Sequence, residues 1–257
     1  MAADPPKNAL ITGAGQRIGR SIAEALAQDG WAIAVHYRQS ADAARALAGE
    51  ITAAGGRAIS LRADLSLEHE TARLVPEAAR ALGPLTLLVN NASAFQTDSV
   101  ATLSRAEWDK HLEVNLRAPF VLTQEFARQL PDGLEGNVIN LLDQRVWNLT
   151  PHFLAYTASK SGLWTLTRTL ALALAPRIRV NGIGPGPALA SRYQSAAQFE
   201  AQCATLPLRH STSPEEIARA VRHILDLPSM TGQMIALDGG QHLNWASPLK
   251  HPLPGDW

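Results

Sequence analysis

A phenol and an ammonium group stand close together in one segment of helical pattern. Tyr156 and Lys160 are four residues apart, so both side chains would lie on one helix face, about one turn from each other. An ammonium beside a phenol stabilises the phenolate and brings the phenol pKa down from about 10. The pair therefore predicts a general acid for the reduction of a carbonyl or an imine. Because the same spacing arises by chance in many helices, other parts of the chain must support it.

A glycine-rich turn near the N-terminus predicts a dinucleotide site. The first apolar run leads into the turn Thr12 to Gly19, which includes Gly13 and Gly15, and a helical pattern follows at once. Small residues let the backbone N–H groups of a helix N-terminus approach a diphosphate, and the helix dipole favours negative charge there. An ordinary strand-to-helix turn that contains three glycines is the alternative.

The residues after the second apolar run indicate which dinucleotide binds. A dinucleotide fold contacts the adenosine ribose about 20 residues after the turn, usually through an acidic residue. The segment His36 to Ser40 has no acid there, whereas Arg38 and Ser40 can hydrogen-bond a phosphate and Arg17 adds a second cation. The pattern therefore favours NADP(H) over NAD(H). The alternative is that Arg38 is a solvated surface charge.

Seven short apolar runs alternate with segments of helical period, which is typical of strand–helix repeats and a parallel sheet. The predicted strands are Ala9 to Thr12, Ala32 to His36, Ala58 to Arg62, Leu85 to Asn90, Val138 to Leu142, Ile178 to Asn181 and Met234 to Leu237. The longest helix is predicted over Pro151 to Ala175, because Pro176 cannot continue it. We expect an α/β fold in which residues 1–257 form a single Rossmann-type domain, a doubly wound sheet of seven parallel strands with helices on both faces.

Three segments lie outside this alternation. Residues 1–7 form an N-terminal arm, and residues 241–257 form a C-terminal tail with Trp245 and Trp257. Gly184 to Pro207 reads as a long irregular segment, and such segments in a small domain are more often binding loops than connectors. We interpret it as the substrate loop. The tail tryptophans would close a neighbour's active site or an oligomer interface, or be exposed.

The composition argues against several other classes of protein. Lys+Arg and Asp+Glu both number 23, so no overall charge draws the chain to nucleic acid or to an anionic membrane. Cys203 is the only cysteine, and no run of about 18 apolar residues or signal peptide is visible. We expect a cytoplasmic protein without a metal site, because the histidines lack metal-ligand spacing. His111 and His152 are interpreted as surface or interface residues.

The motifs taken together resemble those of the short-chain dehydrogenase/reductases. The turn Thr12 to Gly19, Asn90-Asn91-Ala92, Asn115, the segment Tyr156 to Lys160 and Pro185-Gly186 stand in the order of that family, over about Ala9 to Gly240. The resemblance implies that Tyr156 donates a proton and that Lys160 binds the nicotinamide ribose and tunes the phenol. Asn115 would hold the active-site helix and a relay water. A homo-oligomer, usually a tetramer, is also implied.

The resemblance also implies where the cofactor lies. Asp64 would contact the adenine, Asn91 would line the cofactor channel, and Gly184 to Gly186 would face the nicotinamide. The expected cofactor-binding residues are Gly13, Arg17, Ile18, Gly19, His36, Tyr37, Arg38, Ser40, Asp64, Leu65, Asn91, Ala92, Ser93, Tyr156, Lys160, Pro185 and Gly186.

Two departures from the family pattern point to a subgroup. Asp143 stands thirteen residues before the tyrosine, where the family usually has Ser, and Arg17 replaces a small residue. Both features resemble the pteridine reductases, as do Arg17 to Glu24, His36-Tyr37 and Asn90 to Phe95. The resemblance implies that Phe95 stacks a pterin against the nicotinamide and that Ser93 lies beside it. The expected substrate-binding residues are Arg17, Ser93, Phe95, Asp143 and Tyr156, and the expected catalytic residues are Asp143, Tyr156, Lys160 and Asn115.

The leading hypothesis is an NADPH-dependent reductase that transfers hydride to a C=N bond of a dihydropterin-like small molecule. Tyr156 and Asp143 would share proton delivery. A carbonyl or 3-oxoacyl thioester reductase is the alternative within the family, and it leaves Asp143 without a clear task. A non-catalytic NADP-binding sensor is the alternative from another class. For Asp143 a turn or capping carboxylate, and for Phe95 a packing residue, are the plainer interpretations.

Overall fold

Seven parallel strands form one sheet, as the alternating pattern predicts. A computed structural model of the chain describes residues 5–191 and 194–243. The strands are β1 (Asn8–Ile11), β2 (Ala32–Tyr37), β3 (Ala58–Arg62), β4 (Leu87–Asn90), β5 (Gly136–Leu141), β6 (Ile178–Pro185) and β7 (Met234–Leu237). Their order across the sheet is β3-β2-β1-β4-β5-β6-β7. The order therefore reverses between β1 and β4, and ligands of such sheets bind outside the carboxyl ends of the strands at that point.

Helices cover both faces of this sheet. They are α1 (Arg17–Gln28), α2 (Ala41–Ala53), α3 (Glu68–Leu82), α4 (Arg105–Leu112), α5 (Ala118–Gln129), α6 (Leu154–Leu174), α7 (Ala196–Ala204) and α8 (Pro214–Asp226). Residues of α1, α2 and α8 share one apolar core, whereas α3, α5 and α6 contribute to the other. In β1, Ala9 and Ile11 face the first core and Leu10 faces the second. This alternation is what a strand buried on both faces requires.

Four other predicted strands differ from the structure by one or two residues at their ends, and three predicted segments differ more. Helix α6 begins at Leu154 and not at Pro151, because Phe153 takes a left-handed backbone conformation with φ 60°. Strand β6 continues to Pro185, beyond its predicted end at Asn181. The segment Gly184 to Pro207 is not irregular throughout, because α7 forms inside it with a capping box between Ser195 and Gln198.

The histidine and tryptophan predictions had mixed outcomes. His152 is exposed, but His111 is fully buried, so its interpretation as a surface residue is wrong. Its Nδ1 lies 2.7 Å from the Glu107 carbonyl oxygen, and its Nε2 lies 3.3 Å from the N–H of Gln96. Trp245 and Trp257 lie outside the described residues. None of the helices in the described ranges is both long enough and apolar enough to cross a membrane.

Candidate active site

The glycine-rich turn between β1 and α1 is folded so tightly that only glycine fits at its end. Gly13 has φ 63°, a backbone conformation that residues with a Cβ rarely adopt. A Cβ on Gly19 would collide with the Gly13 carbonyl oxygen and lie 2.5 Å from Nδ2 of Asn91. The turn therefore brings its backbone to the carboxyl edge of the sheet without side chains in the way.

Residues that follow β4 fix the turn from the other side of the switch point. The Thr12 hydroxyl accepts hydrogen bonds from the N–H groups of Asn91 at 2.9 Å and Ala92 at 3.0 Å. The Asn91 side chain donates in return to the carbonyl oxygens of Thr12 at 2.8 Å and Gly13 at 3.2 Å. These reciprocal bonds hold the two loops at the switch point in one geometry.

His36, at the end of β2, joins the turn to the loop that follows β3. The N–H of Gly13 donates to Nδ1 of His36 at 3.0 Å, and Nε2 lies 3.1 Å from the Ala63 carbonyl oxygen. Burial lowers the pKa of His36 to about 4, against the opposing effects of the Ala63 hydrogen bond and the Asp64 charge. The ring is therefore neutral near pH 7, and its proton lies on Nε2.

A cavity of about 320 Å³ lies beside this histidine, on the side where the adenosine is expected. Arg38 and Asp64 both line it, and their side chains approach to 3.9 Å. Partial burial alone would raise the pKa of Asp64, but hydrogen bonds from Ser66 and the charges of Arg38 and Arg62 lower it. The cavity thus carries a carboxylate beside a half-exposed guanidinium.

The first turn of α6, which carries the predicted proton donor, is capped by a distant carboxylate. No side chain of its own N-cap residue, Phe153, bonds the helix. Instead, Asp98 is buried and accepts from the N–H of Leu154 through Oδ1 and from the N–H of Ala155 at 3.3 Å through Oδ2. A carboxylate at this end of a helix also complements the helix dipole. Asp98 thereby fixes the turn in which Tyr156 lies.

Asn115 connects the loop after β4 to the same helix. It lies in a π-helical segment, Glu113–Arg117, between α4 and α5. Its Nδ2 donates to the Ala94 carbonyl oxygen at 2.9 Å and to the Ser159 hydroxyl at 3.0 Å. Its Oδ1 accepts from the N–H of Ala94 at 2.7 Å and from the Ser93 hydroxyl at 3.2 Å. The amide therefore bonds both α6 and the loop.

The Tyr156 hydroxyl donates a hydrogen bond to Oδ2 of Asp143 at 2.9 Å. Burial raises the pKa of Tyr156 well above its usual value, and the nearby charge and hydrogen bond of Asp143 raise it further. The prediction that Lys160 lowers this pKa is therefore wrong for the geometry seen here. The ammonium of Lys160 lies 5.8 Å from the phenol ring centre and donates to the Leu141 carbonyl oxygen at 2.7 Å. Burial lowers the pKa of Lys160 to about 8, against the effect of the Asp143 charge.

The Asp143 carboxylate caps a turn and also contacts the phenol of Tyr156. Its Oδ1 accepts from the backbone N–H of Arg145 at 2.8 Å and so caps the short 3-10 turn Gln144–Val146. Its Oδ2 accepts from Tyr156, and the Arg145 guanidinium lies 3.1 Å from the same oxygen. The turn-carboxylate interpretation and the contact with the tyrosine are therefore compatible. Sequence reasoning missed Arg145, although its place two residues after Asp143 is the signal that could have found it.

Aromatic rings line the main cavity, which has a volume of about 470 Å³. The rings of Phe95 and Phe153 stack with centres 4.8 Å apart, and Phe95 meets Tyr156 edge to face at the same distance. Phe153 was missed in the sequence, because its place depends on the left-handed backbone that precedes α6. Arg17 reaches across the cavity, and both terminal nitrogens of its guanidinium donate to the Ala190 carbonyl oxygen at 3.3 Å.

The two cavities contain most of the predicted site residues. Those in the main cavity are Arg17, Ile18, Asn91, Ser93, Phe95, Asp143, Tyr156, Lys160, Pro185 and Gly186. Those in the adenosine-side cavity are Gly13, His36, Arg38, Asp64, Leu65, Ala92, Ser93 and Phe95. Four predicted residues line neither of these two: Gly19, Tyr37, Ser40 and Asn115. The Tyr37 side chain packs in the apolar core, and the structure does not bring it to the site.

The N-terminal end of α1, between these cavities, is suited to bind a diphosphate. Its N-cap residue, Gln16, makes no side-chain hydrogen bond to the helix, and the first turn has no acidic residue. The first N–H groups of the helix are thus not capped by a side chain, and Arg17 adds a positive charge. Such an end attracts a bound anion.

Comparison with known proteins identifies the family. A family model for short chain dehydrogenases matches residues 7–201. The chain belongs to this family. The NADP complex of FolM alternative dihydrofolate reductase 1 from Brucella suis is 48% identical, with a TM-score of 0.91, over 96% of this chain and 99% of that one. The corresponding Brucella canis complex is 47% identical, with a TM-score of 0.89, over 94% and 96%. Another similar protein is the 3-oxoacyl-[acyl-carrier-protein] reductase FabG of Staphylococcus epidermidis, which is 31% identical. The match covers 92% of this short-chain dehydrogenase and 99% of FabG.

Proposed function

We propose that this short-chain dehydrogenase is an NADPH-dependent reductase of a dihydropterin-like substrate with a C=N bond. The observation that carries the proposal is the contact between Tyr156 and Asp143 in an aromatic cavity. A ketone offers only one acceptor oxygen to such a site. A pterin ring offers a flat surface and several N–H donors, which suit the phenyl rings and the carboxylate. The names of the two Brucella relatives support the same class.

The chain's own residues can perform the proton-transfer part of this reaction. When bound, NADPH supplies a hydride to the carbon of the C=N bond. The raised pKa of Tyr156 keeps the phenol protonated in the neutral range, as a donor to the ring nitrogen must be. The Lys160 ammonium donates to the Leu141 carbonyl oxygen and lies 5.8 Å from the phenol ring centre, where the coenzyme ribose is expected. Asn115 and Asp98 hold the loop and the helix so that the Tyr156 hydroxyl faces the cavity.

The cofactor proposal rests on the adenosine-side cavity. Arg38 lines this cavity, and its partly exposed guanidinium can bond a 2′-phosphate. We expect Arg38→Ala to weaken NADPH binding about tenfold or more, as loss of a hydrogen bond to a charged group does, and to leave NADH binding nearly unchanged. Titration of both coenzymes by fluorescence measures this. Arg62→Ala is the matched control, because Arg62 also influences Asp64 but does not line the cavity. Equal losses for both coenzymes would place the 2′-phosphate elsewhere.

The substrate class is tested by following NADPH oxidation with dihydrobiopterin, dihydromonapterin, dihydrofolate and a 3-oxoacyl thioester. We expect the reduced pterins to be turned over, and Asp143→Ser to damage pterin reduction more than thioester reduction. An undisturbed pterin rate in Asp143→Ser would contradict the role of the carboxylate. Turnover of the thioester alone would favour the carbonyl reductase instead. That second function is supported by the Staphylococcus epidermidis relative, whose name states 3-oxoacyl reduction.

We also propose a homo-oligomer, a tetramer, in the cytoplasm. Large apolar side chains on the surface support self-association, among them Leu172 of α6, which is 82% exposed. The single cysteine, Cys203, is compatible with a reducing compartment. Light scattering of the purified chain measures its mass in solution, and a monomeric mass would exclude the tetramer.

A further inference from the structure

Arg145 contacts the Asp143 carboxylate through both its guanidinium and its backbone N–H. Its Nη1 lies 3.3 Å from Oδ1 and 3.1 Å from Oδ2 of the carboxylate, and its backbone N–H donates to Oδ1 at 2.8 Å. The side chain of Arg145 is 17% exposed and that of Asp143 is 12% exposed. Because the pair is largely removed from water, its attraction is only weakly screened.

The aromatic rings of the cavity hold the guanidinium in this place. Its central carbon lies 4.9 Å from the ring centre of Phe153 and 5.9 Å from that of Phe95. Its Nε is buried and makes no hydrogen bond in the described structure. A planar cation over aromatic faces gains cation–π energy that a lysine at the same position would reproduce only in part. Arg145 is thus fixed between the carboxylate and the rings.

Other charged groups approach Asp143 without making such a contact. Lys160 of α6 acts on it through its charge, but its ammonium donates to the Leu141 carbonyl oxygen. Arg17 lines the same cavity from the glycine-rich turn, and its guanidinium bonds Ala190. From α4, the His111 ring faces Tyr156 at 6.5 Å, with both nitrogens at backbone groups. Within the described residues, Arg145 is the cation that forms an ion pair with Asp143.

We infer that Arg145 is a positioning residue that keeps Asp143 as a carboxylate, so that Asp143 accepts hydrogen bonds from the substrate and Tyr156 alone delivers the proton. A carboxylate has acceptor sites for N–H groups but no proton to give. It also accepts the Tyr156 hydroxyl and so aims the phenol at the site. This inference rests on the proposed function for its substrate, but the charge of Asp143 can be measured without one.

The two possible roles of Asp143 predict opposite responses to the loss of Arg145. Without the guanidinium, the buried carboxylate of Asp143 loses its paired charge, which disfavours the charged form. If Asp143 must accept hydrogen bonds, the acidic limb of the pH profile of kcat/KM therefore moves upward. If Asp143 must donate a proton, activity instead extends further into the basic range.

The experiment compares wild type, Arg145→Met, Arg145→Lys and Asp143→Asn in NADPH-dependent pterin reduction from about pH 5 to 9. We expect the acidic limb of Arg145→Met to move up by about one pH unit or more, the size that an adjacent opposite charge produces. Arg145→Lys should show a smaller shift, because lysine keeps the positive charge at this position. Asp143→Asn should lose both the limb and most of kcat. An unmoved limb, or a limb that moves down, would overturn the inference.

A second measurement separates this inference from the proposed function. Carbon-13 NMR of the labelled carboxyl groups, with Asp143→Asn to assign the signal, follows the protonation of Asp143 directly. We expect this carboxyl to titrate about one pH unit or more higher in Arg145→Met, or in Arg145→Gln if the first variant does not fold. An unchanged titration would overturn the role of Arg145. If no pterin is reduced but the titration moves as expected, the substrate proposal fails and the ion-pair role stands.

Discussion

The glycine-rich turn presents backbone to the site, whereas the reacting side presents side chains. In the glycine-rich turn, Gly13 lines the cavity and Gly19 packs without a side chain against Gly13 and Asn91. Thr12, His36 and Asn91 hold the turn through hydrogen bonds. Around α6, the groups that face the cavity are the phenol, the carboxylate and the guanidinium of Tyr156, Asp143 and Arg145. One side therefore depends on shape, and the other depends on the charge of individual groups.

This difference teaches where substitutions should act. A change in the glycine-rich turn alters the position of several N–H groups together, so it should alter coenzyme binding. A change on the reacting side alters one charge or one proton, so it should alter turnover and its pH dependence. Three substitutions test this division, and a fourth tests the hydrogen bonds that hold the turn.

The largest effect is expected on the reacting side, from Tyr156→Phe. Loss of a positioned proton donor should lower kcat about 100-fold or more. Coenzyme affinity should change little, because the removed hydroxyl bonds Asp143 and no group of the turn. Steady-state kinetics and a coenzyme titration of the same variant give both quantities. Near-normal turnover would remove Tyr156 from the mechanism, and a large loss of coenzyme affinity would break the division.

The next effect concerns acid stability on the adenosine side. The pKa of His36 is about 4 in the folded chain and about 6.5 unfolded, so the unfolded chain binds more protons between these values. Stability is therefore full above about pH 6.5 and falls as the pH drops towards 4, by about 3 kcal/mol from this group. In His36→Gln, denaturant unfolding should show a correspondingly shallower dependence on pH over that window.

The exposed His152 supplies the control for this prediction. His152→Gln should unfold with the pH dependence of the wild type. If His36→Gln retains the full acid sensitivity, the histidine is not the neutral bridge that its two bonds to Gly13 and Ala63 indicate.

A smaller effect is expected from Gly19→Ala. The added methyl group would meet the Gly13 carbonyl oxygen and the Asn91 side chain, and relief of that overlap should displace the turn at a cost of about 1 to 3 kcal/mol. Coenzyme affinity should fall about tenfold or more in a fluorescence titration. Gly49→Ala is the matched control in α2, where a Cβ meets nothing within 4 Å. It should leave affinity unchanged, and equal losses in both variants would exclude the proposed overlap.

The smallest effect is expected from Asp98→Asn. Loss of the charge at the start of α6 should cost about 1 kcal/mol of unfolding free energy and lower kcat a few-fold, because Tyr156 lies in the first turn. Ser213→Ala removes the cap of α8, which carries no site residue, and should cost similar stability with normal kcat. Chemical denaturation and kinetics on both variants test the pair. An unchanged kcat in Asp98→Asn would show that the cap supports the helix but not the phenol.

Much of this architecture was predictable because it repeats along the chain. Short apolar runs marked all seven strands, and the spacing of Tyr156 and Lys160 placed both on one side of α6. Each of these signals is local, so a sequence window contains it.

The remainder depends on contacts that no window contains. Asp98 caps a helix more than fifty residues further along the chain. Phe153 reaches the cavity because its own backbone is left-handed, and no sequence motif indicates that conformation. The acidity of Tyr156 was predicted in the wrong direction, because burial raises its pKa and the neighbouring carboxylate adds to that effect. Helical spacing predicts the distance between two side chains, but it does not predict how far burial removes them from water.

The long-range cap by Asp98 has a consequence for changing what this protein recognises. Asp98 stands only three residues after Phe95, so the loop whose ring lines the main cavity also anchors the helix that carries Tyr156. Redesign of that loop for a bulkier molecule would therefore also displace the Tyr156 phenol. Helix α7 has no buried residue and closes its own end with a capping box, yet Phe199 and Gln202 on it line the main cavity. Replacing α7 with a different helix should therefore change the substrate specificity with less effect on the position of Tyr156.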